Sequence, residues 1–189
     1  MVLTKRFYPV MILLLLLVVC IRVPAGARLT ARGEVVVWRG AALVMPADDW
    51  TINSGPQALV LYGGDRREPG FVVGSLELLA PDAGLTKALD ERQDPTGLIE
   101  ELARFLAEVC RELYGDADHL RRFDSGGAVP AVQLSFAADG DHIRAVIYAP
   151  PAGGLYLLRL SCTLGEQRLV EDELDALLGE VSFNAPQGW

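Results

Sequence analysis

Histidine and cysteine are scarce in this chain: two and three residues among 189. A His-dependent triad therefore has few ways to form, and no Cys/His spacing matches a zinc site. No apolar run approaches the ~20 residues of an ordinary membrane-spanning helix. Positive charge is short as well, with 17 Lys and Arg against 25 Asp and Glu and a formal charge of −8. Lys5, Arg6 and Arg22 sit in an acid-free N-terminal segment, so residues 28–189 hold 14 basic against 25 acidic groups, or −11. Such a charge repels phosphate backbones and anionic lipid, which argues against nucleic-acid binding through a basic face. At 51% apolar and 22% charged residues, the composition is that of a folded chain of one domain's length.

The first 27 residues read as a cleaved secretory signal. Lys5 and Arg6 supply a positive start, Val10–Ile21 an apolar core, Arg22-Val23-Pro24 its end, and Ala25-Gly26-Ala27 the small residues of a cleavage site. Cleavage after Ala27 is expected, with Ala25 as the other position. Two alternatives are an uncleaved anchor over residues 7–21 and acylation of Cys20 in Leu17-Val18-Val19-Cys20, a modification that would tether the chain to a membrane. The expected location is the periplasm or outside the cell, with residues 28–189 forming a single α+β domain whose core spans about 34–183.

Without Cys20 the cysteines number two, Cys110 and Cys162. Both are expected to face a core, Cys110 on the stripe Ile99, Leu102, Leu106, Leu113 and Cys162 in alternation with Leu158, Leu160 and Leu164. They are either a disulfide, worth ~4 kcal/mol through the long loop it closes, or two inert buried thiols. The spacing leaves both open.

Strands are expected at Glu34–Arg39, Ala42–Met45, Ala58–Tyr62 and Gly70–Ala80, each bounded by Gly, Pro or Asp. Pro95–Tyr114 is the clearest helix. Leu98, Ile99, Leu102, Phe105, Leu106, Val109, Cys110 and Leu113 recur at spacings of three and four, Asp94 or Thr96 can cap its start, and Gly115 can stop it. Ala83–Glu91 reads as a shorter helix facing inward through Leu85 and Leu89. Ala128–Ala137, Ile143–Tyr148 and Leu155–Leu164 form an antiparallel meander whose first turn is Asp139-Gly140. A last helix, Glu166–Leu178, turns Val170, Leu174, Leu177 and Leu178 inward. The class is α+β.

This layout resembles the α/β/α family of the photosystem II PsbP protein and the bacterial DcrB-type envelope proteins. The features carrying the resemblance are the turn Pro46-Ala47-Asp48-Asp49-Trp50, the long helix after the first sheet segment, the stretch Gly127-Ala128-Val129-Pro130-Ala131, and a short helix followed by Ser182-Phe183. The resemblance implies an antiparallel sheet with helices packed on both faces, and a binding or assembly module rather than an enzyme.

Few residues invite chemistry. Gly63-Gly64-Asp65 lacks the Gly-Lys-Ser/Thr ending of a phosphate loop, and Ser135 and Ser161 fall inside expected strands. Asp116, Asp118 and His119, with Asp139, Asp141 and His142, could hold a hard cation if they converged, although Asp is also favoured in turns for its bonds to nearby backbone. Arg66-Arg67 and Arg121-Arg122 are basic doublets in an acidic chain, suited to a carboxylate or an acidic partner, or simply solvated. Trp38 and Trp50 read as packing residues, and Trp189 as a terminal residue able to lie against a partner.

No catalytic residue, metal ligand or cofactor is therefore expected. The expected function is an exported, non-enzymatic envelope protein that binds a protein partner or a small ligand, with any membrane contact confined to the N-terminal segment. A chaperone-like holder of apolar segments and an envelope hydrolase built on the Asp/His turns are the alternatives.

Overall fold

The computed structural model describes residues 27–80, 83–91, 95–115, 118–125 and 129–183. The expected signal segment, Asp94, Asp116, Gly127-Ala128 and Trp189 lie outside the described residues.

Among the described residues, eleven strands form two sheets: β1 Arg28–Leu29, β2 Val35–Trp38, β3 Ala41–Val44, β4 Thr51–Ser54, β5 Ala58–Gly63, β6 Val72–Leu79, β7 Asp118–Ser125, β8 Ala131–Ala138, β9 Asp141–Tyr148, β10 Leu155–Thr163 and β11 Ser182–Phe183. The helices are α1 Ala83–Asp90, α2 Pro95–Tyr114 and α3 Gln167–Gly179. The large sheet runs β1-β4-β5-β6-β10-β9-β8-β7 and the small one β11-β3-β2. Every pair is antiparallel, so the chain is a mixed α+β fold.

Two hairpins show how local sequence sets the ladder. Arg39-Gly40 between β2 and β3, and Asp139-Gly140 between β8 and β9, have positive φ at both residues (48° and 86°, 52° and 88°). That is the backbone of the tight turn whose twist matches the flanking strands. The expected Asp139-Gly140 turn is thus in place. At Arg39 the conformation is imposed by the hairpin and held by the Tyr156 hydroxyl, which donates to the Arg39 carbonyl at 2.6 Å.

The central strands are buried on both faces, and alternation sorts their residues into two cores. On β10, Leu155 and Leu157 join Leu85, Leu98, Leu102, Leu106, Val132, Leu134, Phe136, Ile143, Ala145 and Ile147 beneath α1 and α2. Tyr156, Leu158, Leu160 and Cys162 point the other way, to Trp38, Leu43, Trp50, Leu59 and Leu61 and to Val170, Leu174 and Leu177 of α3. Helices thus lie on both faces, and the small sheet shares the second face with α3. Each fully buried Leu contributes roughly 1.5–3 kcal/mol.

Several expectations are corrected. Helix α2 has its expected bounds, but Leu113 leaves the stripe and is exposed, as is Leu164 beyond the end of β10. The segment expected as the turns carrying Asp118-His119 and Arg121-Arg122 is strand β7, so the closing meander has four strands rather than three. Strands β1, β4 and β11 were not expected as strands either. Of the two arrangements open for the cysteines, the structure has buried free thiols, Cys110 in the α1/α2 core and Cys162 in the α3 core. The sheet stands between them, and the two side chains point to opposite faces of it.

Candidate binding face on the large sheet

Strand register lays out one half of the sheet residue by residue. Tyr62, Val73 and Ser161 form one row across β5, β6 and β10, and Val60, Ser75 and Arg159 the next. Ala58 and Glu77 begin a third row. These side chains point to the α1/α2 side, because their neighbours Leu59, Leu61, Val72 and Leu76 fill the opposite core. Helix α2 packs over β8 and β9, leaving the β5–β6 side without a covering element among the described residues. Val60, Tyr62, Ser75 and Glu77 are consequently half-buried and Val73 is exposed.

A groove of about 230 Å³ lies on this surface where α2 ends. It is lined by Val60, Val73, Gly74, Ser75, Tyr114, Arg159, Leu160 and Ser161. Gly74 is required by the packing beneath: a Cβ there would stand 2.6 Å from Leu160 Cδ2. Arg159 pairs with Glu77, whose side chain is 28% exposed against 24% for the arginine. Burial works against the guanidinium charge, but the hydrogen bond and charge of Glu77 outweigh it and Tyr114 adds to them, so Arg159 is held more firmly protonated than usual. Ser75 donates to Glu77 at 3.1 Å. The Arg159 Nε is buried without a hydrogen-bond partner. At the other end of the face, Arg66 lies 5.9 and 5.7 Å from the ring centroids of Tyr62 and Phe71, which stack at 6.3 Å. The face therefore offers apolar valines flanked by an aromatic-backed cation and a paired one.

The residues singled out from the sequence lie mostly elsewhere. Ser135 and His142 come together across β8 and β9 on the α3 side, Oγ to Nε2 at 3.3 Å. Burial, reinforced by Arg144 and opposed by Glu171, lowers the His142 pKa, so the ring is neutral near pH 7. No carboxylate among the described residues hydrogen-bonds this imidazole, so nothing orients it as in a triad. Arg144 instead holds Glu171 and Asp175 of α3.

Asp118 and His142 share a backbone row, each in register with Ala137; Asp116 and the side chains of Asp118, His119, Arg121 and Arg122 lie outside what the structure describes. No group of three or more His, Cys, Asp and Glu among the described residues could hold a metal ion. Arg66 and Arg67 are exposed, in the turn expected for them. Trp38 and Trp50 are buried packing residues, the first donating to Gly55 O at 3.1 Å and the second to Glu173 at 2.9 Å. Ser161 donates to Val73 O at 3.4 Å.

Sequence reading passed over Arg159, Glu77 and Tyr114. A lone charge inside each of two apolar strands was the available signal. Their meeting depends on the β6–β10 register, which no local pattern encodes.

No family model matches the chain, and no curated protein matches it. Solved structures with a similar backbone include a Bacteroides thetaiotaomicron protein with 11% identity and a TM-score of 0.47, covering 81% of this chain and 49% of that one. They also include LpqN, involved in cell envelope biogenesis of Mycobacterium tuberculosis, with 15% identity and a TM-score of 0.46, covering 84% of this chain and 90% of LpqN. The chain spans about half the length of the Bacteroides protein.

Proposed function

We propose that this chain is an exported envelope protein that works by binding, not catalysis, and that its ligand or partner segment lies on the open β5–β6–β10 face. The observation carrying this reading is the uncovered half-sheet, where Val60 and Val73 face outward between Arg66 on its aromatic pair and the Arg159–Glu77 ion pair. Concave, mostly apolar surfaces with a few placed polar groups are where ligands bind. Export rests on the signal pattern of residues 1–27, and a PsbP/DcrB-like relationship on the order of elements in the sequence. No helix among the described residues is long and apolar enough to cross a membrane.

The test is a photo-crosslinking side chain placed at Val73, and separately at Leu169, which is exposed on α3 on the other side of the sheet. In the living cell, an adduct of defined mass from position 73 and none from 169 supports the proposal. Equal labelling at both positions, or none at 73, refutes the site. Turnover of a substrate by the purified protein, abolished by a single substitution, refutes the non-enzymatic reading.

A further inference from the structure

Strand β2 ends the small sheet, with β3 on one side and no described strand on the other. Trp38 and Ala41 flank the two-residue Arg39-Gly40 turn and pair with each other. In an antiparallel hairpin of this length the flanking pair is hydrogen-bonded, and bonding then alternates along the strand. Trp38 and Val36 therefore bond inward to β3, consistent with the bond from Met45 N to Glu34 O at 2.9 Å. The N–H and C=O groups of Val35 and Val37 point away from the sheet.

Their side chains are exposed as well, at 56% and 64%, while Val36 and Trp38 are buried. Edge strands are normally blunted by a Lys, a Pro or a bulge. From Val35 to Trp38, β2 has none of these: it reads Val-Val-Val-Trp in unbroken register with β3, and the extra residue in the ladder comes just before it, where Gly33 and Glu34 both bond Met45. The edge is also stiff, since Trp38 bonds to Gly55 O and Tyr156 to Arg39 O.

We propose that β2 is a self-association edge, pairing antiparallel with β2 of a second copy about a two-fold axis through Val36. In that register Val35 faces Val37 of the partner subunit in two equivalent hydrogen-bonded pairs. Four outward backbone groups per strand are satisfied and the result is a continuous six-stranded sheet. The strand is self-complementary because its aliphatic triplet reads the same in both directions. Glu34 at one end already holds Arg28 and Ala31 N, and Arg39 at the other donates to Pro56 O, so the pairing rests on the outward backbone groups and the valines and not on charge. A two-fold contact of identical patches closes on itself and stops at the dimer. The seam is short, below the ~1,200 Å² of a standard interface, so the dimer is weak and depends on concentration. This surface belongs to the small sheet and is independent of the proposed binding face.

Sedimentation velocity of the intact protein from micromolar to near-millimolar concentration tests the proposal, with four variants compared. The wild type and Leu169→Lys, a substitution of an exposed residue on α3, should dimerise alike. Val35→Lys/Val37→Lys places like charges opposite each other at both pairs and should raise the dissociation constant at least tenfold. Val35→Lys/Val37→Glu sets Lys opposite Glu at both pairs and should restore dimerisation. Unchanged far-UV circular dichroism would show that these solvent-facing changes leave the fold intact. A monomer at every concentration, a Lys/Lys variant that dimerises like the wild type, or a Lys/Glu variant no better than Lys/Lys overturns it. So does an edge that accepts only an extended segment of a different protein.

Discussion

Gly63→Ala should destabilise the protein strongly, and the loss should depend on Trp50. An alanine Cβ at position 63 would stand 2.6 Å from Trp50 Cε2, 2.7 Å from Cζ2 and 3.1 Å from Nε1. Non-bonded carbons sit best at ~3.5–4.0 Å, so the ring would have to retreat by about 1 Å. It has nowhere to go, being fully buried and tied to Glu173 through a 2.9 Å bond. Overpacking of this kind costs ~2–3 kcal/mol. Trp50→Leu alone should cost ~3 kcal/mol in lost burial and residual cavity. In that background the ring is gone and the added methyl occupies part of the space it left. The double variant should then lose ~3–4 kcal/mol, leaving a coupling of ~2 kcal/mol between the two sites. Urea denaturation followed by far-UV circular dichroism, with the four proteins compared at a common m value, measures it. Additivity within about 0.5 kcal/mol would refute the close-contact reasoning.

Three further outcomes follow from the partly and fully buried ionisable groups. Glu77→Ala leaves the Arg159 guanidinium without its carboxylate partner; because both side chains keep about a quarter of their exposure, screening limits the loss to ~1–3 kcal/mol. Adding Arg159→Met should recover most of that in thermal melts, and no recovery would count against the pair. His142 is held below its usual 6.5, mainly by burial. Between its lowered value and 6.5 the unfolded chain binds more protons, so stability should climb with pH through that window and level off above it. His142→Gln should flatten this part of the stability–pH curve, and an undiminished slope would show that other groups cause it. Burial pushes the Cys110 thiol up to about 11, so iodoacetamide at pH 8 should leave Cys110 unmodified in the folded protein and alkylate it, with Cys162, in urea. Recovery of a peptide linking Cys110 to Cys162 would overturn their placement on opposite sides of the sheet.

What the sequence made legible depended on whether the signal was local. Helix α2 was readable to its ends because its stripe, its start and its stop all lie within some twenty residues of chain. The Asp139-Gly140 turn carries its own conformational preference. Strand β7, Asp-His-Leu-Arg-Arg-Phe-Asp-Ser, has no apolar alternation to announce it, and its extended state comes from pairing with β8. β1 and β11, two residues each, exist only as additions to β4 and β3. Leu113 and Leu164 carry the right residue type at the right spacing, yet each stands where its element runs past the core. The binding face was illegible for a related reason. Its central pair joins Glu77 to Arg159, and nothing within either strand says which strand will be its neighbour.

The junction between β6 and β10 also governs how this sheet can be assembled. On one side β4, β5 and β6 follow each other through short turns, and on the other β7 to β10 do the same. Either meander can form from contacts close along the chain. Joining them brings together residues roughly 80 positions apart, at a loop-closure cost of ~4 kcal/mol that no earlier contact has offset. The seam is therefore the late and slow step of folding. It is also unforgiving, since a slip of one residue there would turn Leu157 and Leu158 to each other's faces and set the two half-sheets against one another inside out.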